Sequence, residues 1–262
     1  MIKIIKPSVD PYGHCGDTFR ELVDLWGENN LCEIETRNTP YVWWGDVGDI
    51  ILYDRPTLQW FNSDDKRKWI LSGNTVPRGW IPWIFWSRRP RLMEIFTSRR
   101  KDYNDRDIES LFLGKIENNV QLNKRTGMDW SRSVEIFEMP INGTYTYTQE
   151  QYLEMLARSR YGLCLSGYGP KCNREIELLG MGVVPLITPL VDLTYYNALV
   201  EGKHYIRVNQ PEDIKRKIKS VSNDQWMYMS RSGIEWYEDN CSTLGSFNTT
   251  LNIINKHYVC KL

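Results

Sequence analysis

Apolar residues in this chain fall into short runs and helical stripes that alternate from one end to the other. Residues 2–6 form an apolar run closed by Pro7, the pattern of a buried strand. Phe19, Leu22, Val23 and Trp26 recur at three- and four-residue spacing and predict a helix over 18–26. Residues 49–53 and 68–71 read as further strands. In the second half, 110–116, 134–137, 161–165 and 183–187 are the strand candidates. Thr148 caps a predicted helix over 149–158, and Gln151 completes a capping box. Another helix is expected over 173–181. Pro211 opens one that runs to 220, Asn223 begins the next, and a last covers 246–258. Strands alternating with helices predict an α/β fold whose parallel sheet is covered on both faces.

Composition then narrows the function classes. The chain has 262 residues, room for one large domain or two compact ones. Its 33 basic residues balance 33 acidic ones, which argues against the basic face of a nucleic-acid binder. No run of about 18 apolar residues is present, so no membrane span is expected. The N-terminal apolar run is too short, and too soon broken by Pro7, for a secretion signal. A soluble, cytoplasmic protein is the expectation. Six cysteines are scattered without a C-x-x-C pair, which predicts neither a disulfide framework nor a zinc site. Charge is even along the chain, but eight of the 11 tryptophans precede residue 105. That asymmetry predicts two domains, 1–105 and 106–262, with the polar stretch 98–107 as linker.

Chemistry concentrates in YGLCLSGYGPKCNREIELLGMGVVP, residues 161–185. A buried strand runs into Ser166, Gly167, Tyr168, Gly169 and Pro170, and then into a helix. Glycines let a ligand approach the backbone, and the helix N-terminus offers free N–H groups and a positive dipole end. Lys171 and Arg174 add cations there, beside Asn173, where a helix normally disfavours them. An anion, such as a diphosphate, would be neutralised at that point. Arg174 and Glu177 share a helix face, either as a solvated ion pair or as a phosphate ligand and a ribose-hydroxyl acceptor.

The spacing of Arg174, Glu177, Gly182 and Pro185 (R-x-x-E-x-x-x-x-G-x-x-P) resembles the nucleotide-sugar motif of exostosin-like glycosyltransferases. The strong match covers about 30 residues, and the layout of 106–240 is compatible with the rest. The resemblance implies a GT-B-like architecture, two Rossmann-like domains facing a cleft, with the donor held by the second. It also implies that a C-terminal helix crosses back to the first domain. The chain looks like the short, untethered relatives encoded by large algal viruses, some of which transfer xylose. The expected activity is transfer of a sugar from a nucleotide-diphosphate sugar, a UDP-sugar first of all, to an oligosaccharide or glycoprotein glycan. That transfer is expected to be inverting and to require no metal or other cofactor. Lys115, Lys124 and Arg125 are the basic residues expected near the phosphates in place of a metal, although Lys124 and Arg125 also fit a solvated loop.

Inverting transfer needs a base for the acceptor hydroxyl. The loop after the first strand offers Asp10, His14 and Asp17, with Gly13 and Gly16 around them. His14, Asp17 and Asp46 are the candidates, with Asp49 a rival. Asp17 or Thr18 also fits as a helix cap. Residues 80–86 (WIPWIFW) suit either a sugar-stacking platform or core, and core is favoured by the apolar residues between the tryptophans. Arg88, Arg89 and Arg91 follow directly. Two other classes remain open. One is a GT-A-like, metal-dependent glycosyltransferase using Asp105 and Asp107. The other is a non-catalytic carbohydrate-binding protein.

Overall fold

The structure, a computed structural model, describes residues 1–8, 16–54, 69–141 and 144–258. The chain forms two compact units. The first comprises Met1–Arg91, Thr194–Ala198 and Glu238–Leu262, and the second Leu92–Leu193 and Leu199–Tyr237. Residues 98–107 lie in the second unit, and the last helix lies in the first. No helix among the described residues is long and apolar enough to cross a membrane.

In the first unit the elements run β1 (Ile2–Pro7), α1 (Gly16–Glu28), β2 (Cys32–Arg37), β3 (Val42–Trp44), β4 (Ile50–Tyr53), β5 (Trp69–Ser72) and β6 (Ile81–Pro82). Among the described residues they form one six-stranded sheet, ordered β2-β1-β3-β4-β5-β6. β1 pairs parallel with β2, and β4, β5 and β6 pair parallel in turn. β3 is antiparallel to both of its neighbours, so this sheet is mixed where an all-parallel one was expected. The reason is local. Gly45 and Gly48 take φ of +89° and +71°, so the chain reverses within five residues and returns β4 alongside β3.

Four tryptophans of this unit, Trp26, Trp44, Trp83 and Trp86, are core. Trp83 and Trp86 are 0% and 2% exposed and pack on Phe19 of α1, Trp83 edge-on at 5.4 Å. Trp26 and Trp83 donate their indole N–H groups to Ser246 and Thr250 of α8 (Thr243–His257), at 2.8 and 2.9 Å. Residues 83–86 are therefore buried core, with the Trp83 indole satisfied, and the stacking-platform reading has no support at Trp83 or Trp86.

After α2 (Pro90–Thr97), the second unit runs β7 (Ile108–Leu113), α3 (Asn119–Arg125), β8 (Ile136–Glu138), α4 (Gln149–Arg158), β9 (Ser159–Cys164), α5 (Asn173–Gly180), β10 (Val184–Ile187), β11 (Ile206–Arg207) and α6 (Pro211–Ser220) in order. α7 (Asn223–Asn240) carries the chain from this unit back to the first. The five strands are all parallel and ordered β11-β10-β9-β7-β8. One face, with Phe112, Tyr161, Leu163, Val184 and Leu186, packs on Ile214 and Ile218 of α6 and Trp226 of α7. On the other face Gly162 lets α5 approach so closely that a Cβ there would lie 2.2 Å from Leu178.

Two polar features fix this unit. The Thr148 capping box is complete, with Gln151 N–H donating to Thr148 Oγ1 and Thr148 N–H to Gln151 Oε1. Arg106, in the stretch read as a linker, is 1% exposed. Its guanidinium donates to the carbonyls of Lys101, Leu156, Ser159 and Met181. Leu156 and Met181 close α4 and α5, so one buried cation sits on two helix C-termini. That burial lowers its pKa to about 10.

Candidate functional site

The strand order of the second unit contains one reversal. From β7 the chain steps to β8 on one side and then returns past β7 to β9, β10 and β11 on the other. The gap outside the carboxyl ends of β7 and β9 is the position where open α/β sheets take ligands. Two segments line it: Leu113–Gly114–Lys115 after β7, and the loop 165–172 after β9.

Five cations converge on this junction. Arg125, at the end of α3, is 5% exposed and donates to Lys115 O at 2.5 Å and to Ser166 O at 3.0 Å. It ties the two segments together, and burial, reinforced by Arg174, lowers its pKa to about 10. Arg174, on the first turn of α5, donates to Leu113 O at 2.8 Å and lies over the Phe112 ring, 4.4 Å from its centroid. Lys171 is 3% exposed, and burial brings its ammonium down to about 8 despite Asp192 nearby. Lys124 donates to the carbonyls of Gly167 and Tyr168 at 3.3 Å. Lys115 lies past the end of β7, pairs with Glu117 at 2.5 Å and sits over the Tyr145 ring at 4.4 Å.

Backbone shape depends on small residues at two points. A Cβ on Gly114 would lie 2.8 Å from both Arg174 Nη2 and the Phe112 ring. A Cβ on Gly167 would lie 2.5 Å from Cys172 Sγ, so the loop folds back against the start of α5 only with glycine there. Cys172 is the N-cap, and its N–H donates to Glu175 Oε2 at 2.9 Å. Glu175 is 0% exposed, and burial pushes its carboxyl up to about 7. Ser166 is buried with its hydroxyl unpartnered, while Tyr168 is exposed at the loop tip. Gly169 is buried, and Asn173 opens α5 half-buried.

Glu177 has other neighbours. It is 4% exposed and accepts from Gln149 Nε2 at 3.2 Å, and it also meets Tyr152 of α4, whose phenol is raised by burial and by this carboxylate. In this geometry Glu177 anchors α4 to α5, and a ribose hydroxyl would have to displace Gln149 to reach it.

Two members of the motif serve the fold. Val183 N–H donates to Leu178 O and Gly182 N–H to Leu179 O, a Schellman ending of α5 with Gly182 at φ +68°. Pro185 lies on β10, whose ladder with β11 starts only at Leu186, and Ile187 O faces that side. Its missing N–H therefore points where no strand partner stands.

The base candidates are placed unequally. Asp10, Gly13 and His14 lie outside the described residues. Asp17 stands in the first turn of α1, its side chain outside the described part. Asp46 is paired with Lys3 at 3.2 Å and Arg37 at 3.7 Å. Lys3 is the second residue of β1, so Asp46 lies at the amino end of that strand, away from the end where such sheets bind ligands. Asp49 precedes β4 and accepts from the Tyr258 hydroxyl at 3.3 Å. Asp105 and Asp107 precede β7, at the amino ends of the second sheet, and Asp107 is held by both nitrogens of a fork from Arg158. Among the described residues no group of three or more His, Cys, Asp or Glu side chains is placed to hold a metal ion.

Sequence reasoning missed Phe112, Gly114, Glu175 and Arg106. The C-x-x-E spacing of Cys172 and Glu175 was a readable capping signal; the other three emerge only from tertiary packing. Comparison with family models gives no match, and neither does comparison with curated proteins.

Proposed function

We propose that the second unit binds a nucleoside-diphosphate sugar at the β7/β9 switch point and that the protein is a glycosyltransferase. The observation that carries the binding part is the junction itself. A glycine loop, a helix N-terminus, the buried cations Arg125 and Lys171 and the half-buried Arg174 meet at the carboxyl ends of parallel strands. An arrangement of that kind stabilises an anion through fixed N–H dipoles and charge that water does not screen. The transfer part rests on the likeness of residues 161–187 to the exostosin-like motif, and a UDP-sugar is the first donor to test.

In this reading Arg174 and the N–H groups of Tyr168, Gly169 and Lys171 face the diphosphate and offset charge on the departing nucleotide. Arg125 and Lys124 hold the loop by its carbonyls. His14, Asp17 and Asp46 are the candidate bases for the acceptor hydroxyl. Calorimetric titration with UDP tests the site, and release of UDP from UDP-sugars in the presence of glycan acceptors tests the transfer. Binding abolished by Arg174→Ala in a folded protein supports the reading. Absence of affinity for any nucleoside diphosphate removes it.

A further inference from the structure

Three buried polar atoms in the strand–loop–helix junction have no hydrogen-bond partner: Ser166 Oγ, Arg174 Nε and Glu175 Oε1. Buried polar groups are nearly always paired, so three orphans within ten residues mark the place of an absent partner. Arg174 Nε–H can only donate, and the Ser166 hydroxyl is free to donate. Both call for an acceptor. An ionised Glu175 would be the odd member, because a carboxylate can only accept. Its other oxygen already accepts from Cys172 N–H at 2.9 Å. A protonated Glu175 removes the contradiction, since its O–H then needs an acceptor like the other two.

We propose that Glu175 meets the ligand as a neutral carboxylic acid, its Oε1–H donating to an anionic oxygen of the diphosphate, so that binding takes up a proton. The proposal rests on the reading of this junction as a nucleoside-diphosphate site. The charged and titratable groups facing Glu175 are Arg174 and Glu177 on its own helix, Cys172 at the cap, Arg125 on α3 and Cys164 on β9. Burial raises the Glu175 carboxyl to about 7, opposed by main-chain N–H groups and Arg174 and assisted by Glu177. A bound diphosphate adds negative charge beside it and raises it further. The sign follows. Affinity is complete below about pH 7 and declines as pH rises above it, approaching tenfold per unit.

The experiment is calorimetric titration with UDP-glucose, whose diphosphate diester carries no titrating proton near neutrality, in two buffers of different ionisation enthalpy. It is run at about pH 7, where Lys171 is still protonated in the free protein. The expected result is uptake of roughly half a proton per ligand bound. Glu175→Gln keeps an oxygen for Cys172 N–H and supplies N–H donors in place of the O–H. This variant should bind UDP-glucose with the uptake at pH 7 gone and the fall in affinity flattened between pH 7 and about 8, where Lys171 begins to lose its proton. Ligand bound without proton uptake, or uptake that persists in folded Glu175→Gln, overturns the proposal while leaving the site intact. No binding by the unaltered protein overturns both. If Glu175→Gln fails to fold, uptake and its pH profile in the unaltered protein decide alone.

Discussion

The guanidinium of Arg174 lies over the ring of Phe112, 4.4 Å from its centroid, and donates past it to the carbonyl of Leu113. One side chain on α5 thus reaches the last two residues of β7 and spans the switch point. A planar, delocalised cation suits this position because it stacks and hydrogen-bonds at once, and an ammonium cannot do both. Arg174→Lys should weaken UDP binding by roughly tenfold to a hundredfold, the scale of one charge-assisted contact. Equal affinity by titration would move the ligand away from Arg174.

Gly114→Ala should act on the same contact without touching a charge. The added methyl falls 2.8 Å from Arg174 Nη2 and from Phe112. UDP affinity should drop while the far-UV spectrum stays unchanged, and unaltered affinity would show that the Arg174–Phe112 geometry does not matter for binding.

Gly182→Ala separates fold from function within the motif. It places a Cβ at φ +68°, 2.9 Å from Ile234 and 3.2 Å from Arg106. Stability should fall by about 1–3 kcal/mol in urea denaturation, from the left-handed strain and the crowding. Affinity for UDP in the folded protein should persist, because Gly182 ends α5 at the far end from the ligand. Loss of binding with stability retained would contradict that assignment.

Arg106→Met should be the most destabilising of these changes, by about 3 kcal/mol or more, since it leaves buried helix-terminal carbonyls without donors. Denaturant midpoints check it. A change under about 0.5 kcal/mol would mean the four carbonyls find other partners.

Lys171 links stability, pH and ligand. Its folded value of about 8 lies below the ordinary 10.5. Between those values the unfolded chain holds a proton that the folded chain has released, so this group's contribution to stability rises with pH across the window. Lys171→Met should flatten that rise and increase stability near neutral pH by up to roughly 3 kcal/mol, while weakening UDP binding. Unfolding curves at about pH 7 and 10 measure the difference. An unchanged slope would show that Lys171 is not held down by burial.

Much of the second unit was legible in the chain, because its strands are continuous apolar runs and its helices announce themselves through Thr148, Gln151 and Pro211. The first unit was less so. β3 consists of Val42, Trp43 and Trp44, three residues too few to show a period, and its antiparallel return depends on two left-handed glycines. At the site, the glycine loop, Lys171 and Arg174 could be read because helix N-termini rarely carry cations. The function of Glu177 could not, since its Gln149 partner lies 28 residues away on another helix. Gly182 and Pro185, which set the spacing of the motif, are in three dimensions a helix ending and a β10 position before the ladder with β11 begins. Arg106 sat among exposed-looking charges, and only the fold reveals that three separate carbonyl-bearing segments close on it.

The central claim, that the β7/β9 junction holds a nucleoside diphosphate, is tested most directly by titrating the protein with UDP beside its Arg174→Ala variant, with thermal unfolding to confirm that both are folded. Saturable binding that weakens with added salt and disappears in the variant is the predicted result. Binding of equal strength in both proteins, or no binding of UDP or GDP by either, would contradict it.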